Sequence, residues 1–369
     1  MELFNRPGLI FTALIAVIGV ASVSAQDRAP EDEAIDAIRR LTDISGPDQG
    51  RIRGWVQTQV DGLIAAPGNA RSVDGARLQA FRKRFDDQYR NSNNTPPFRT
   101  QLAAQTAIVA TATLGKADLP ATTATAVTQV LVDMNTAEVA PGFLAALKSN
   151  TQPARYLAAK GIAALRASIA ADKEKLDATV KALKEAGLVE SNAAALSRVY
   201  DALAFPGQVP AVLDAYLALF DKRLEQRRGG ALLDDGAEIM AWEFFRNRAV
   251  IGALSPEQKT EIARRAAVFL RMATERYNDP AVSPPTEAGA YDFAFQERDN
   301  IERCIDATEE ILESLTGAPG GKAREELNAG GHDSRVAVRR EAYKWVGDPQ
   351  TSARGPLNEA PWNVPLGAP

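Results

Sequence analysis

One histidine and one cysteine in 369 residues close off more chemistry than any motif opens. Zinc sites built on His and Cys, disulfide frameworks and Glu-x-x-His di-metal sites all need more of these residues than the chain has. Aromatic residues are also sparse, at 7% with four Trp, so there are few stacking surfaces for bases or sugars. Neither sign of charge dominates: 43 Lys and Arg stand against 47 Asp and Glu, a formal charge of −4. The basic clusters are isolated, at Arg227-Arg228, Arg264-Arg265 and Arg339-Arg340, and no aromatics interleave with them. Nucleic acid is therefore not an expected partner. The sequence holds no glycine-rich phosphate loop, Gly-x-Ser-x-Gly elbow or dinucleotide fingerprint, so neither a cofactor nor a metal is expected.

Long apolar runs are missing as well, except at the N-terminus. Residues 1–25 read as a secretory signal: Arg6 supplies positive charge, Leu9 to Val20 is mostly apolar, and Val23-Ser24-Ala25 is a small-residue cleavage site before Gln26. The apolar core is short against the ~20 residues a spanning helix needs, and an uncleaved anchor is the alternative. An exported chain is the expectation, periplasmic or secreted, with no stable membrane span after cleavage. Export usually brings disulfides, but Cys304 has no second cysteine to pair with. Ile301, Cys304, Ile305, Thr308, Ile311, Leu312 and Leu315 recur at helical spacing, which makes Cys304 a small apolar member of a core stripe.

What is present is globular composition, 45% apolar and 24% charged, patterned at the helical period. Ile52, Trp55, Val56, Val60, Leu63 and Ile64 fall on one face, and an earlier segment over 31–45 stops at Gly46-Pro47. Thr100 to Met134 is rich in Thr and Val and suits strands or helices; its 3.6-residue period favours helices, broken at Pro120. Further helices are expected over 137–148, 153–170, 173–186, 191–204, 209–227, 236–254, 256–277, 291–316 and 333–346. Ser255-Pro256-Glu257-Gln258 is a strong start signal. No hairpin signal or alternating strand intervenes, so the fold class is all-α. A loop is expected over 278–289, and five prolines after Gly347 predict a mobile tail over 347–369, leaving 26–346 as the helical domain.

The last of these helices carries a family resemblance. Asp333-Ser334-Arg335-Val336-Ala337-Val338-Arg339-Arg340-Glu341-Ala342 resembles the turn and second helix of a HEAT repeat, with Asp333, Val338, Arg339 and Ala342 in the family's positions. Residues 137–165 are similar, with Arg155 as the arginine, Ser149 where Asp is usual and Ala154 where Val is. The pair over 173–205 lacks the arginine. The resemblance implies an α-solenoid of stacked antiparallel helix pairs, roughly eight units at ~40–47 residues each. In it Asp caps the helix, Arg bonds the acid of a neighbouring repeat, and Val and Ala pack inward. An α-helical bundle and an α/α toroid are the alternative architectures.

Two candidate sites arise. His332 follows Gly330-Gly331 and is read as an exposed turn residue. Asp234, Asp235, Glu238 and Glu243 gather near Trp242, Phe244 and Phe245, the residue types of a glycoside-cleaving cleft. Ile239, Trp242, Phe245 and Ala249 equally define a core face, with the acids at a helix start. The leading expectation is an exported, non-catalytic helical-repeat scaffold that binds a protein partner. The alternative is a carbohydrate-active enzyme on an all-α toroid, using two of those four acids.

Overall fold

A computed structural model of the protein describes residues 30–64, 75–229, 235–279, 293–318, 320–329 and 334–366. The 1–25 signal, most of the 278–289 loop, Asp234, His332 and Asp333 lie outside them. Among the described residues the fold is all-α, without a strand; one isolated bridge joins Asp348 and Ala353.

The first half is built from α1 (Pro30–Ile38), α2 (Gly46–Ile64), α3 (Gly75–Tyr89), α4 (Pro96–Leu114), α5 (Ala121–Met134), α6 (Ala140–Ala146), α7 (Gln152–Ala164) and α8 (Arg166–Ala170). There follow α9 (Lys173–Val189), α10 (Ala193–Ala202), α11 (Val209–Arg228), α12 (Ile239–Phe245) and α13 (Arg248–Gly252). The chain ends in α14 (Pro256–Tyr277), α15 (Phe293–Thr316), α16 (Ala323–Ala329) and α17 (Ser334–Val346).

In the Thr- and Val-rich stretch, helical throughout α4 and α5, several hydroxyls are satisfied within their own helix. Thr106, Thr111, Thr125 and Thr128 each donate to the carbonyl four residues back, at 2.7–2.8 Å, so a buried hydroxyl is satisfied inside its own helix. Thr95 caps α4 with Pro96 and Pro97 in its first turn, and Ser255 and Gln258 close a reciprocal capping box on α14.

Several boundaries differ from the sequence reading. Gly46-Pro47 opens α2 rather than ending the helix before it, and α1 stops at Ile38. The helix expected over 236–254 divides in two, because the Asn247 side chain caps a new start by accepting from Ala249 N. The helix expected over 153–170 divides at Leu165.

Packing follows one rule along much of the chain: a helix lies on the helix two places along as well as on its chain neighbour. One row runs α2, α4, α6 and a second runs α3, α5, α7. Farther along, α7 packs on α10, α10 on α12 and α12 on α15, while α9, α11, α14 and α17 continue the other side. The apolar faces meet between the rows in one connected core. The stripe holding Cys304 is part of it: all seven of its residues are buried, and Cys304 forms no disulfide. An aromatic cluster fills the centre, with Phe220 stacked on Trp242 at 4.3 Å and Tyr216 stacked on Phe244 at 5.0 Å.

Composition predicts a mobile tail after Gly347, yet residues 347–366 pack against the end of the fold. Leu357 and Val364 are buried. Asn358 donates to the carbonyls of Val346 and Val364, both at 2.9 Å, and Arg264 on α14 donates to the Trp362 carbonyl at 2.5 Å. A few well-placed apolar anchors and one amide outweigh the average character of the segment.

Candidate functional site

Arg155 projects from α7 towards the turn that joins α9 to α10. Its Nε donates to Glu190 Oε2 at 2.6 Å and its Nη2 to Oε1 at 3.0 Å, while Nη1 donates to the Ser149 carbonyl. Glu190 also accepts from Asn192 N, and both side chains are largely buried. Burial pushes the Glu190 carboxyl up, but the bonds from Arg155 and from the Asn192 backbone outweigh it and hold the group below the ordinary glutamate range. The sequence reading placed Arg155 as the arginine that bonds a neighbouring repeat's acid; the acid itself, Glu190, was missed because it stands outside the expected motif position.

A second tie of the same 35-residue separation joins Arg166 to Asp201, with a further bond from Arg166 to the Ala204 carbonyl. Arg53 to Gln105 links α2 to α4, Arg82 to Asp133 links α3 to α5, and Arg265 to Asp221 links α14 to α11. Polar ties thus recur where helices two or three places apart meet.

Of the acidic cluster near Trp242, the two side chains that are described, Glu238 and Glu243, go to different surroundings. Glu238 is fully buried and ion-paired with Arg223, itself 5% exposed at the side chain. Glu243 faces solvent and lies 3.6 Å from Arg246. Asp234 and the Asp235 side chain lie outside the described residues. Among the described residues no group of three or more His, Cys, Asp and Glu side chains is placed to hold a metal ion.

Of the HEAT-like positions on α17, Val338 and Ala342 are buried, as packing positions should be. Arg339 instead lies half-exposed over the Tyr343 ring, 5.1 Å from its centroid. The buried side of α17 is locked from behind. Trp345 donates to Glu309 Oε1 at 3.0 Å, and the same carboxylate accepts from the backbone of Ala323 and Arg324, capping α16. Gly320 and Gly321 allow this approach: a Cβ at Gly320 would come within 1.8 Å of the Trp345 ring, and one at Gly321 within 1.7 Å of the Glu341 carbonyl.

The other side of α17 forms an open groove of about 500 Å³ with the loop that follows it. Val336, Arg339, Arg340, Tyr343 and Lys344 line it from the helix, and Asp348, Gln350, Thr351, Ala353 and Arg354 from the loop. Asp348 is spent on the loop itself, accepting from Gln350 N at 2.9 Å and the Thr351 hydroxyl at 3.0 Å. Glu341 holds Lys344 at 2.6 Å and Arg340 at 3.2 Å. Arg339 and Arg354 have no carboxylate within salt-bridge distance among the described residues. Sequence reasoning singled out Arg339 as a repeat residue and did not foresee the groove, whose second wall comes from the segment taken as a tail.

A larger hollow of about 670 Å³ lies at the ends of α4 and α6, lined by Leu114, Leu119, Pro141 and Leu144 together with Lys116 and Lys148. No single helix among the described residues is long and apolar enough to cross a membrane. No family model, no curated protein and no solved structure gives a significant match to the chain.

Proposed function

We propose that this chain is an exported, non-catalytic α-solenoid, HEAT-like in its repeat logic, that presents its surface to a protein partner. The observation that carries the reading is the Arg155–Glu190 tie, which joins the second helix of one pair to the interhelix turn of the next. That is the place a HEAT-like arginine–acid ladder occupies, and packing of helices on those two places along agrees with it. In a solenoid each pair contacts mainly its neighbours, which leaves an extended surface for a partner.

The burial of Glu238 in an ion pair favours the scaffold over a glycoside-cleaving enzyme, because a catalytic acid must reach substrate. Export rests on the apolar run and small-residue site in residues 1–25.

The test is cross-linking of the mature chain, residues 26–369, in the envelope or secreted fraction of its native source, with mass spectrometry of the adducts. One discrete protein adduct in stoichiometric yield is the expected result. Absence of any protein adduct, together with chain-dependent cleavage of cell-wall glycan, would overturn the scaffold reading.

A further inference from the structure

We propose that the groove between α17 and the 348–354 loop binds an acidic, partly apolar peptide segment of the protein partner; the proposal rests on the scaffold reading above. Three observations carry it. The groove-facing residues of α17, Val336, Arg339, Arg340, Tyr343 and Lys344, fall at helical spacing along one face, so the lining is a continuous strip the length of two turns. Its charge is one-sided. The one acidic residue in the lining is turned into its own loop, whereas Arg339 on the helix and Arg354 on the loop have no carboxylate within salt-bridge distance among the described residues. Its lining is also partly apolar: Val336 is 73% exposed, and the Arg339 guanidinium lies over the Tyr343 ring.

These features suit one ligand chemistry. Guanidinium groups pair with carboxylates in two-pronged geometry, and the Tyr343 ring supports the Arg339 guanidinium from one face. The exposed Val336 gains from an apolar side chain placed between two acids. A bare phosphate would use the cations and leave Val336 idle.

The test uses the mature chain and fluorescein-labelled twelve-residue peptides of alternating Glu and Leu, with Lys–Leu and Gln–Leu peptides as controls. Binding is followed by anisotropy between 50 and 300 mM salt, values on the order of those over which screening changes strongly. The Glu–Leu peptide should bind, the Lys–Leu peptide should not, and affinity should fall as salt rises. Arg354→Glu and Val336→Glu, both at exposed positions, should each weaken binding at least about five-fold while circular dichroism stays unchanged. Failure of the Glu–Leu peptide to bind, or equal binding by both variants, overturns the proposal. Binding of inorganic phosphate or anionic lipid vesicles through Arg354 without peptide binding also overturns it. Repeating the cross-linking with Arg354→Glu separates the two readings. A partner captured equally by variant and wild type removes the groove and leaves the scaffold, whereas no captured protein with either removes both.

Discussion

Arg155 and Glu190 stand 35 residues apart in the chain and meet in a two-pronged ion pair, with the Glu190 side chain 2% exposed. The pair fixes α7 against the start of α10, so it sets how one helix pair sits on the next. Removing either partner leaves the other largely buried without its opposite charge. Arg155→Met and Glu190→Gln should each cost about 2–4 kcal/mol, and the double variant should cost less than their sum. Urea denaturation of the four proteins measures this coupling; additive losses would show that the pair does not act as a unit.

Two acids five residues apart in the chain should behave oppositely. Glu238 is sealed in the core on Arg223, whereas Glu243 lies at the surface. Replacing Glu238 with Gln should cost about 3–5 kcal/mol, and Glu243→Gln should stay within about 0.5 kcal/mol. Thermal unfolding of the two variants side by side distinguishes them.

Much of the helical class was legible in the sequence, and the reasons for the exceptions are physical. The stripe from Ile301 to Leu315 could be read because burial and period coincide in one long helix. Helix α16 could not, because its cap is the Glu309 carboxylate, which lies 14 and 15 residues from the two amides it accepts from. Local propensity holds no trace of a cap delivered by tertiary contact. The same applies to the site. Arg339 and Arg155 could be singled out by motif, but Glu190 and the 348–354 wall of the groove become visible only when distant segments meet.

The C-terminal segment supplies a third prediction. Leu357 is fully buried although its surroundings are rich in proline, and the Asn358 amide ties the segment to the end of α17. Leu357→Ala should cost about 2–4 kcal/mol, as a large-to-small change in a core does. If the segment behaved as a solvated tail, the denaturation midpoint would not move.

Arg271 on α14 is buried with little to hold it. Among the described residues its Nη1 and Nη2 have no hydrogen-bond partner, and the nearest carboxylate, Glu275, is 3.9 Å away. Burial draws its pKa below the ordinary arginine range, against the smaller opposing pull of Glu275 and Tyr343. A methionine of similar length would keep the packing and remove the desolvation cost. Arg271→Met should therefore stabilise the fold by about 1–3 kcal/mol, read as a rise in urea midpoint. A fall of the same size would mean that the guanidinium holds contacts that outweigh its burial.

Acid stability follows from carboxyls shifted in opposite directions. For Glu190 and Glu341, burial raises the pKa, but bonds from Arg155, or from Lys344 and the Lys322 backbone, outweigh it and leave each group below the ordinary value of 4.5. Glu261 is lowered mainly by its bond from Arg265. A carboxyl lowered in the folded state binds its proton more readily when unfolded. Its contribution is therefore complete above pH 4.5 and lost as pH falls through the folded pKa. Glu309 runs the other way: burial raises its pKa despite bonds from Arg324 N, Ala323 N and Trp345. Its penalty grows as pH rises from 4.5 through the folded value. Stability should thus be flat or rise slightly on acidification from neutral pH towards 4.5, then fall below it. Urea midpoints measured across that range test the curve, and Glu190→Gln should make the acid limb shallower. An acid limb unchanged in slope by Glu190→Gln would mean that Arg155 does not hold the Glu190 carboxylate in its charged form.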